Sequence, residues 1–347
     1  MDIRKKHSSY QGVVYKYDLK TDQITPLTLT NFSGPFHTHG MSIYVDPKAP
    51  ATAPVTFMVV NHVDSTGSVV EIFDHILGTS DLTHVETAVI TGNTSPNSFS
   101  LPPSLAFPSS KDPVNVPNPN AIVALSRRSF FVTNDLHYPT GPLRLYETVT
   151  RRPWGGVALR EPNHPLHWAQ YGIAYTNGID IDLEQRLVAV ASSTGRSVLF
   201  FDWDPVTQDL KPICTVNNLP ILPDNVRFDR QTGSLFVAGV TRTLECFIPK
   251  HGDPYDPANV VGWGVVRIDL KSVLNNSNTT TTTTAPLGTE VPATAENSEL
   301  AVTYPGPVPG LVTVAAYDHE RGRVFVGAVT TSGVFVCPYR PPQAASV

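Results

Sequence analysis

Charged residues are scarce in this sequence, and no basic cluster is interleaved with aromatic residues. Asp, Glu, Lys and Arg make up 16% of the 347 residues, and the formal net charge is −5. Nucleic-acid binding surfaces combine clustered basic side chains with aromatic ones, and that combination is missing from the sequence. The composition therefore argues against nucleic acid as the main partner.

Long apolar runs are also missing. The N-terminal residues "MDIRKK" lead into polar sequence without the apolar core of a signal peptide, and no stretch is long and apolar enough to span a membrane. We therefore expect no membrane span in this chain. The localisation stays open, because a longer N-terminus would make the protein secretory or membrane-anchored.

Cysteine is rare, and its spacing excludes the close pairs of a structural zinc site. The three cysteines are Cys214, Cys246 and Cys337. Because the count is odd, at least one thiol has no partner within the chain. Four N-x-S/T sequons would accept glycans in a secreted glycoprotein. They lie at Asn31, Asn93, Asn275 and Asn278.

Turn-forming residues and an internal repeat are what the sequence does contain. The 32 prolines and 23 glycines favour many short strands joined by turns. The segment "NGIDIDLEQRLVAVASSTGRSVLFFDWD", from Asn177, predicts a strand, a turn, a second strand, a tight turn and a third strand. Segments from His39, Asp224 and Val312 repeat that order.

A fifth and weaker copy begins at Asn120, and "GPLRLYETV" from Gly141 is predicted as its third strand. The N-terminal "GVVYKYDLKTDQITPLTL" has the pattern of only the outer two strands of a further blade, so the first blade is expected to be incomplete. Each copy alone would leave an apolar face in water, and radial packing buries those faces. The repeat therefore predicts an all-β fold, a β-propeller.

The run of six threonines from Thr279 to Thr284 shows no apolar periodicity. We interpret it as part of a low-complexity loop insertion at about residues 275–298, within a blade and not between domains. The whole chain, residues 1–347, is therefore predicted to form a single domain.

Polar residues recur at equivalent points of the copies. The inner strands of a propeller converge on a central tunnel, and His39, Asn177, and Asp224 with Asn225 stand at their starts. Asn134 and Asp135 follow the second strand of the Asn120 copy. Asn and Asp also punctuate ordinary turns, but a ring of carboxylate and amide oxygens suits Ca²⁺ far better than Zn²⁺ or Cu²⁺.

Five motifs in this order resemble the paraoxonase/arylesterase family, from about residue 11 to Cys337. They are "HTHGMS", "VVNHVDSTGSVVEIF", "VTNDLHY", "TNGIDID" and "LPDNVRFD". Members of that family are six-bladed propellers with two calcium ions in the central tunnel. The resemblance implies a six-bladed fold and a calcium-dependent hydrolase of aryl esters or lactones for this chain.

The resemblance also implies roles for individual residues. His39 would be the general base and His62 its partner in a histidine dyad, whereas His37 would have no such role. The backbone carbonyl of Met41 and the side chain of Asp135 would bind a structural calcium ion. The ligands of a catalytic calcium ion would be Asn134, Asn177, Asp224 and Asn225.

The sequence departs from the family at its N-terminus. Family members place an adjacent Glu-Asp pair before the inner strand of the first blade, one acid for each calcium ion, and no matching pair precedes His39. Each of the two expected calcium sites would therefore lack one acidic ligand, and we expect this chain alone to be poorly active or inactive. Cys337 matches the family's C-terminal cysteine but lacks its N-terminal partner, so a free thiol is expected unless Cys214 or Cys246 pairs with it.

The leading hypothesis is an enzyme, a calcium-dependent arylesterase or lactonase acting on a small-molecule ester or lactone. No G-x-S-x-G motif is present, which weakens a serine-hydrolase alternative. Two further hypotheses stay open, since one fold hosts many functions. One is a non-catalytic propeller that binds a partner, and the other is a sugar-lactone hydrolase or strictosidine-synthase-like propeller. The sequence does not reveal the oligomeric state.

Overall fold

The structure is a computed structural model in which the chain divides into two compact units, Met1–Ile173 and Ala174–Val347. We call them unit 1 and unit 2. The residues that the structure describes are 11–63, 67–90, 114–241, 261–279, 287–304, 311–329 and 333–341.

Unit 1 contains two antiparallel sheets of four consecutive strands, which we call blades A and B, and a two-stranded sheet near its N-terminus. The two-stranded sheet pairs β1 (Tyr15–Asp18) with β2 (Gln23–Pro26). Blade A consists of β4 (Thr38–Tyr44), β5 (Val55–Val63), β6 (Gly67–His75) and β7 (Asp81–Val89), with β3 (Thr28–Thr30) added in parallel to β7. Blade B consists of β8 (Pro119–Ala124), β9 (Phe130–Asn134), β10 (Gly155–Arg160) and β11 (His167–Ile173).

Unit 2 contains three further antiparallel sheets, blades C, D and E. Blade C consists of β12 (Thr176–Asp182), β13 (Leu187–Ser192), β14 (Ser197–Trp203) and β15 (Leu210–Asn217), with β19 (Thr289–Pro292) added in parallel to β15. Blade D consists of β16 (Leu222–Asp229), β17 (Ser234–Val240), β18 (Trp263–Asp269) and β20 (Ser298–Tyr304). Blade E consists of β21 (Val312–Asp318), β22 (Arg323–Ala328) and β23 (Val334–Pro338).

Each unit buries the apolar side chains between neighbouring blades. On β5, Met58 and Val60 pack toward blade B, whereas Phe57 and Val59 pack on the other face against the N-terminal segment. Successive side chains of a strand point to opposite faces, so a strand that reads "VTFMVV" supplies two cores. In unit 2 one apolar cluster joins blades C and D, and another joins blades D and E. Sheets that are covered on both faces are expected of propeller blades.

The fold is thus all-β and of the propeller class, and the five copies predicted from the sequence correspond to blades A to E. Six blades were predicted, whereas the described residues show five blades of three strands or more. The N-terminal segment, predicted as two strands, forms the two-stranded sheet β1–β2.

The third strand predicted from Gly141 is wrong, because this segment is a helix, α1 (Gly141–Thr150). Pro142 suits the first turn of a helix, where a backbone N–H needs no partner. Arg144 and Glu147 lie three residues apart, which places them on one face of α1, and both contact residues 135–138. The third strand of blade B is β10 instead.

The range 275–298 was expected to be a loop, but it holds the end of a second helix, α2 (Leu270–Thr279), and strand β19. Side chains alternate between the two faces of β19, and Val291 is buried in the same apolar cluster as Val273 of α2 and Cys214 of β15. The Thr215 hydroxyl also donates to the Leu287 carbonyl at 2.9 Å. Backbone pairing with β15 therefore gives the second part of this range a fixed structure; residues 280–286 lie outside the described residues.

Two of the three cysteines belong to the described residues. Cys214 is a buried free thiol and Cys337 is a half-buried one, while Cys246 lies outside the described residues. The described helices are ten residues each, and none is long and apolar enough to cross a membrane.

Candidate functional site

The predicted site residues lie at a repeated irregularity of the inner strands. In β4, Thr38 pairs with Asn61 and Met41 with Val59, so His39 and Gly40 together oppose one residue. This is the two-against-one count of a β-bulge, which bends a strand and redirects its side chains. The same shift spans Asn177–Gly178 in β12 and Asp224–Asn225 in β16.

Blade B carries the equivalent bulge at Asn120 and Ala121 of β8. Asn120 is buried and begins the fifth copy, so its position in the repeat is the sequence signal that identifies it. Asn120 is therefore an additional candidate at the same structural position as His39.

Glycines after two of the site residues let neighbouring inner strands approach closely. A Cβ atom on Gly40 would lie 2.4 Å from the Asn120 carbonyl oxygen. A Cβ atom on Gly178 would lie 2.4 Å from the Asn225 Cα and 2.5 Å from the Asp224 carbonyl oxygen. Only glycine permits such an approach, which brings the Asn177 bulge against the Asp224–Asn225 bulge.

Gly178→Ala is expected to force β12 away from β16. Overpacking costs about 1–3 kcal/mol of unfolding free energy, and a clash with backbone atoms places this variant at the upper end of that range. Chemical denaturation of the purified chain measures the loss. Gly333→Ala is the matched control, because a Cβ atom there meets nothing within 4 Å. Equal stabilities of the two variants would contradict the close approach.

Two histidines form a hydrogen-bonded pair in unit 1. His39 Nδ1 lies 2.9 Å from His62 Nε2, and His62 Nδ1 lies 2.8 Å from the Ser68 hydroxyl oxygen. The His39 ring is exposed, whereas Ser68 is buried. The hydrogen-bonded series His39–His62–Ser68 therefore runs from an exposed side chain to a buried one, and we call it the relay. The sequence did not reveal Ser68 as a member.

Two assignments of protons, running in opposite directions, satisfy these hydrogen bonds, and general-base catalysis by His39 requires the following one. The Nδ1–H of His39 donates to His62 Nε2, and the Nδ1–H of His62 donates to the Ser68 hydroxyl. His39 Nε2 then keeps its lone pair, as a general base requires.

His37 supports the backbone around this pair. Its Nδ1 lies 3.0 Å from the His62 carbonyl oxygen, and the His62 N–H donates to the His37 carbonyl at 3.0 Å. The His37 N–H donates to Asn61, whose side-chain amide in turn donates to the buried Glu71 carboxylate at 3.1 Å. These contacts give His37 and Asn61 a positioning role for His62.

An oxygen-rich cluster lies in unit 2. Asn177 is buried and donates through Nδ2 to the Ser193 hydroxyl at 3.0 Å, while its Oδ1 has no hydrogen-bond partner among the described residues. Burial raises the pKa of Asp224 to about 8, because the charged carboxylate is removed from water. Asn225 donates through Nδ2 both to Asp224 Oδ1 and to the Thr313 carbonyl, each at 2.9 Å.

The donor chemistry of this cluster fits a calcium ion. A buried amide oxygen without a donor and a half-buried, poorly hydrated carboxylate both gain from a hard cation, and all the available ligands are oxygens. Among the described residues, no group of three or more His, Cys, Asp or Glu side chains could hold a metal ion. Any site here therefore depends on amide oxygens.

Asn134, the fourth predicted ligand of the catalytic ion, belongs to unit 1. Its Oδ1 accepts from the Asn118 N–H at 2.9 Å, and its Nδ2 donates to the Leu136 carbonyl at 3.0 Å. These two bonds fix the side chain. A carbonyl oxygen has two lone pairs, so Oδ1 retains one for another partner.

The predicted structural calcium site does not fit its surroundings. Met41 follows the bulge of β4, and Asp135 follows the end of β9. The Asp135 carboxylate forms an ion pair with Arg144, whose Nη2 lies 2.9 Å from Oδ2 and whose Nη1 lies 3.4 Å from Oδ1. A guanidinium already neutralises the carboxylate that would bind the ion.

Comparison with known proteins agrees with the repeat and the motifs. The sequence profile of the arylesterase family matches residues 111–308, more than half of the chain. The chain belongs to the arylesterase family.

Relatives of this arylesterase-family chain include two mouse proteins. Over 259 residues it is 27% identical to serum paraoxonase/arylesterase 1 of Mus musculus, covering 75% of this chain and 62% of that protein. Over 272 residues it is 25% identical to serum paraoxonase/lactonase 3 of Mus musculus, covering 77% of this chain and 62% of that protein. The chain thus spans about three fifths of the length of these relatives.

A solved structure from Bacteroides uniformis, described as a candidate 6-phosphogluconolactonase, shares the fold. It superposes with a TM-score of 0.50 at 8% identity, covering 97% of this chain and 77% of that one. At such low identity the likeness concerns architecture alone.

Proposed function

We propose that this arylesterase-family chain hydrolyses aryl esters or lactones with calcium as cofactor and His39 as the general base. The observation that carries the proposal is the hydrogen-bonded series His39–His62–Ser68, whose outermost member is exposed. The names of its relatives, arylesterase and lactonase, support the substrate class. A sixth blade, to which the β1–β2 sheet contributes, forms part of the same proposal, as does a single domain.

In the proposed reaction His39 Nε2 accepts a proton from a water molecule. The hydroxide adds to the carbonyl carbon of the ester, and the bond from that carbon to the leaving oxygen breaks. The leaving oxygen takes up the proton from the His39 imidazolium, which restores the base. No covalent bond to the protein forms in this sequence, so no nucleophilic serine is needed.

His62 and Ser68 act through His39. Accepting the Nδ1–H of His39 fixes its tautomer and helps to stabilise the imidazolium when Nε2 gains a proton. Ser68 in turn fixes the ring of His62. Because Ser68 is buried, its hydroxyl does not meet substrate, and we assign it a positioning role.

The residues of unit 2 that would hold the calcium ion are Asn177, Asp224 and Asn225; Asn134 of unit 1 is a ligand implied by the family resemblance. Calcium, when bound, supplies a Lewis acid that polarises the carbonyl oxygen and stabilises negative charge on it. The unpartnered Oδ1 of Asn177 and the desolvation that raises the pKa of Asp224 support this ligand set. Asn225 holds Asp224 Oδ1 in place through its amide.

The direct test is hydrolysis of phenyl acetate and of a γ- and a δ-lactone by the purified chain. Rates are measured with added Ca²⁺, after chelation, and after Ca²⁺ is restored. We expect slow hydrolysis of at least one substrate, as the missing acidic ligand implies, and we expect chelation to abolish it and added calcium to restore it. Equal, background rates under all three conditions, in a sample whose circular dichroism shows folded β structure, would favour a non-catalytic binding propeller.

A further inference from the structure

The strongest unexplained feature of unit 1 is the ion pair between Asp135 and Arg144. The Asp135 side chain is 10% exposed and that of Arg144 is 23% exposed. A carboxylate so far from water needs a counter-charge, and the guanidinium supplies it through two N–H groups that face both carboxylate oxygens. The pair is thus an arrangement of matched shape and charge, and not a loose surface contact.

Helix α1 holds Arg144 in this place through further contacts. Arg144 Nη1 also donates to the Tyr138 carbonyl at 3.3 Å. One turn later on the same face, the buried Glu147 accepts from the His137 N–H at 2.9 Å and from the Tyr138 N–H at 3.1 Å. Residues 135–138 are therefore fastened to α1 through side-chain and main-chain groups together.

The C-terminal end of α1 is also well defined. Arg151 adopts a left-handed conformation with φ of 53°, and its N–H bonds to the Thr148 carbonyl. The following residue, Arg152, donates its N–H to the Glu147 carbonyl at 3.1 Å. These bonds end the helix in the manner of a C-cap, so the position of Arg144 does not depend on the ion pair alone.

A divalent cation and this guanidinium cannot both occupy the carboxylate without repulsion. Both oxygens of Asp135 already face N–H groups, and like charges repel strongly where water is excluded. A calcium ion would have to displace Arg144 from Asp135.

We propose that Arg144 is the built-in counter-ion of Asp135 and replaces the structural calcium ion that the family resemblance assigns to this carboxylate. The chain then holds residues 135–138 without a metal at Asp135. Calcium binding is then confined to the oxygen cluster of unit 2, which consists of Asn177, Asp224 and Asn225.

The test counts calcium ions bound to the full-length chain. Wild type, Asp135→Asn and Arg144→Gln are dialysed against free Ca²⁺ of about 1 mM, within the affinity range of weak protein sites, and bound metal is measured by mass spectrometry. We expect Asp135→Asn to bind as much calcium as wild type. We expect Arg144→Gln to bind one more ion per chain, because it frees the carboxylate.

Two control variants show whether the charge of Arg144 is what keeps calcium from binding to Asp135. Arg144→Lys keeps the charge and is expected to bind calcium as wild type does. Arg127→Gln removes another arginine of unit 1, which pairs with Asp74 at 2.6 Å, and is also expected to leave the calcium count unchanged. Thermal unfolding with and without Ca²⁺ should show a calcium-dependent midpoint increase for Arg144→Gln that exceeds the increase of wild type.

A loss of one ion per chain in Asp135→Asn would overturn the proposal, because Asp135 would then be a calcium ligand. The proposal would also fail if Arg144→Gln bound no additional calcium while folding normally. If Arg144→Gln does not fold, the count for Asp135→Asn still decides. The proposed function stands or falls separately, on hydrolysis and its dependence on calcium.

Discussion

His39→Gln is expected to lower kcat/KM for ester or lactone hydrolysis by about 100- to 10,000-fold, the contribution of a general base. Glutamine keeps a similar length and can still donate to His62, but it has no basic nitrogen for the proton of the attacking water. The measurement is kcat/KM for the best substrate at saturating calcium. Because the His39 ring is exposed, its loss should leave the unfolding midpoint almost unchanged.

The control for this variant is His164→Gln. His164 is an exposed histidine of unit 1, where its main chain lies in a turn, and its replacement should leave kcat/KM unchanged. If His39→Gln retains kcat/KM within threefold of wild type while His164→Gln does the same, His39 is not the base. The proposed mechanism would then be wrong even if the chain hydrolyses esters.

Asp224→Asn is expected to weaken calcium binding by at least about a hundredfold, since the number of anionic ligands spreads the affinity of calcium sites over orders of magnitude. Asparagine has nearly the same shape and can still accept from Asn225, so the effect is one of charge. Calorimetric titration with Ca²⁺ measures the affinity. Calcium-dependent hydrolysis should fall in parallel, because the polarising ion is no longer held.

Asp202→Asn is the matched control for the loss of one acid. Its carboxylate is 42% exposed and lies 4.0 Å from Arg186, a distance at which an exposed pair contributes little. We expect wild-type calcium affinity for this control. Equal affinities of Asp224→Asn and wild type would remove Asp224 from the ligand set.

The blades were predictable because their strands combine apolar alternation with turn residues. The segment from Asn177 gave β12, β13 and β14 in the predicted order, and the segment from His39 gave β4, β5 and β6. The strand predicted from Gly141 failed because alternation in "LRLYETV" also fits a short helix, and contacts of Arg144 and Glu147 outside the segment favour the helix. The parallel strands β3 and β19 were missed because each pairs with a strand many residues away.

The candidate site was predictable only in part, because some of its contacts depend on strand pairing that the local pattern does not show. Repeat phase located His39, Asn177, and Asp224 with Asn225, because a bulge recurs at the same point of each inner strand. Ser68 is six residues from His62 along the chain, and only antiparallel pairing of β5 with β6 places the two opposite each other. The counter-charge on Asp135 depends on a helix that the strand pattern did not indicate.

The parallel pairing of β19 with β15 links blade C to blade D when unit 2 unfolds locally. Strand β19 lies between β18 and β20 in the chain, yet it covers the outer edge of blade C. Separating blade D from blade C would therefore expose the N–H and C=O groups of β15 as an unpaired edge, the kind of template on which chains aggregate. The amide hydrogens of β15 that bond to β19 should therefore exchange with solvent when β19 leaves blade C, so their protection reports on the attachment of blade D to blade C.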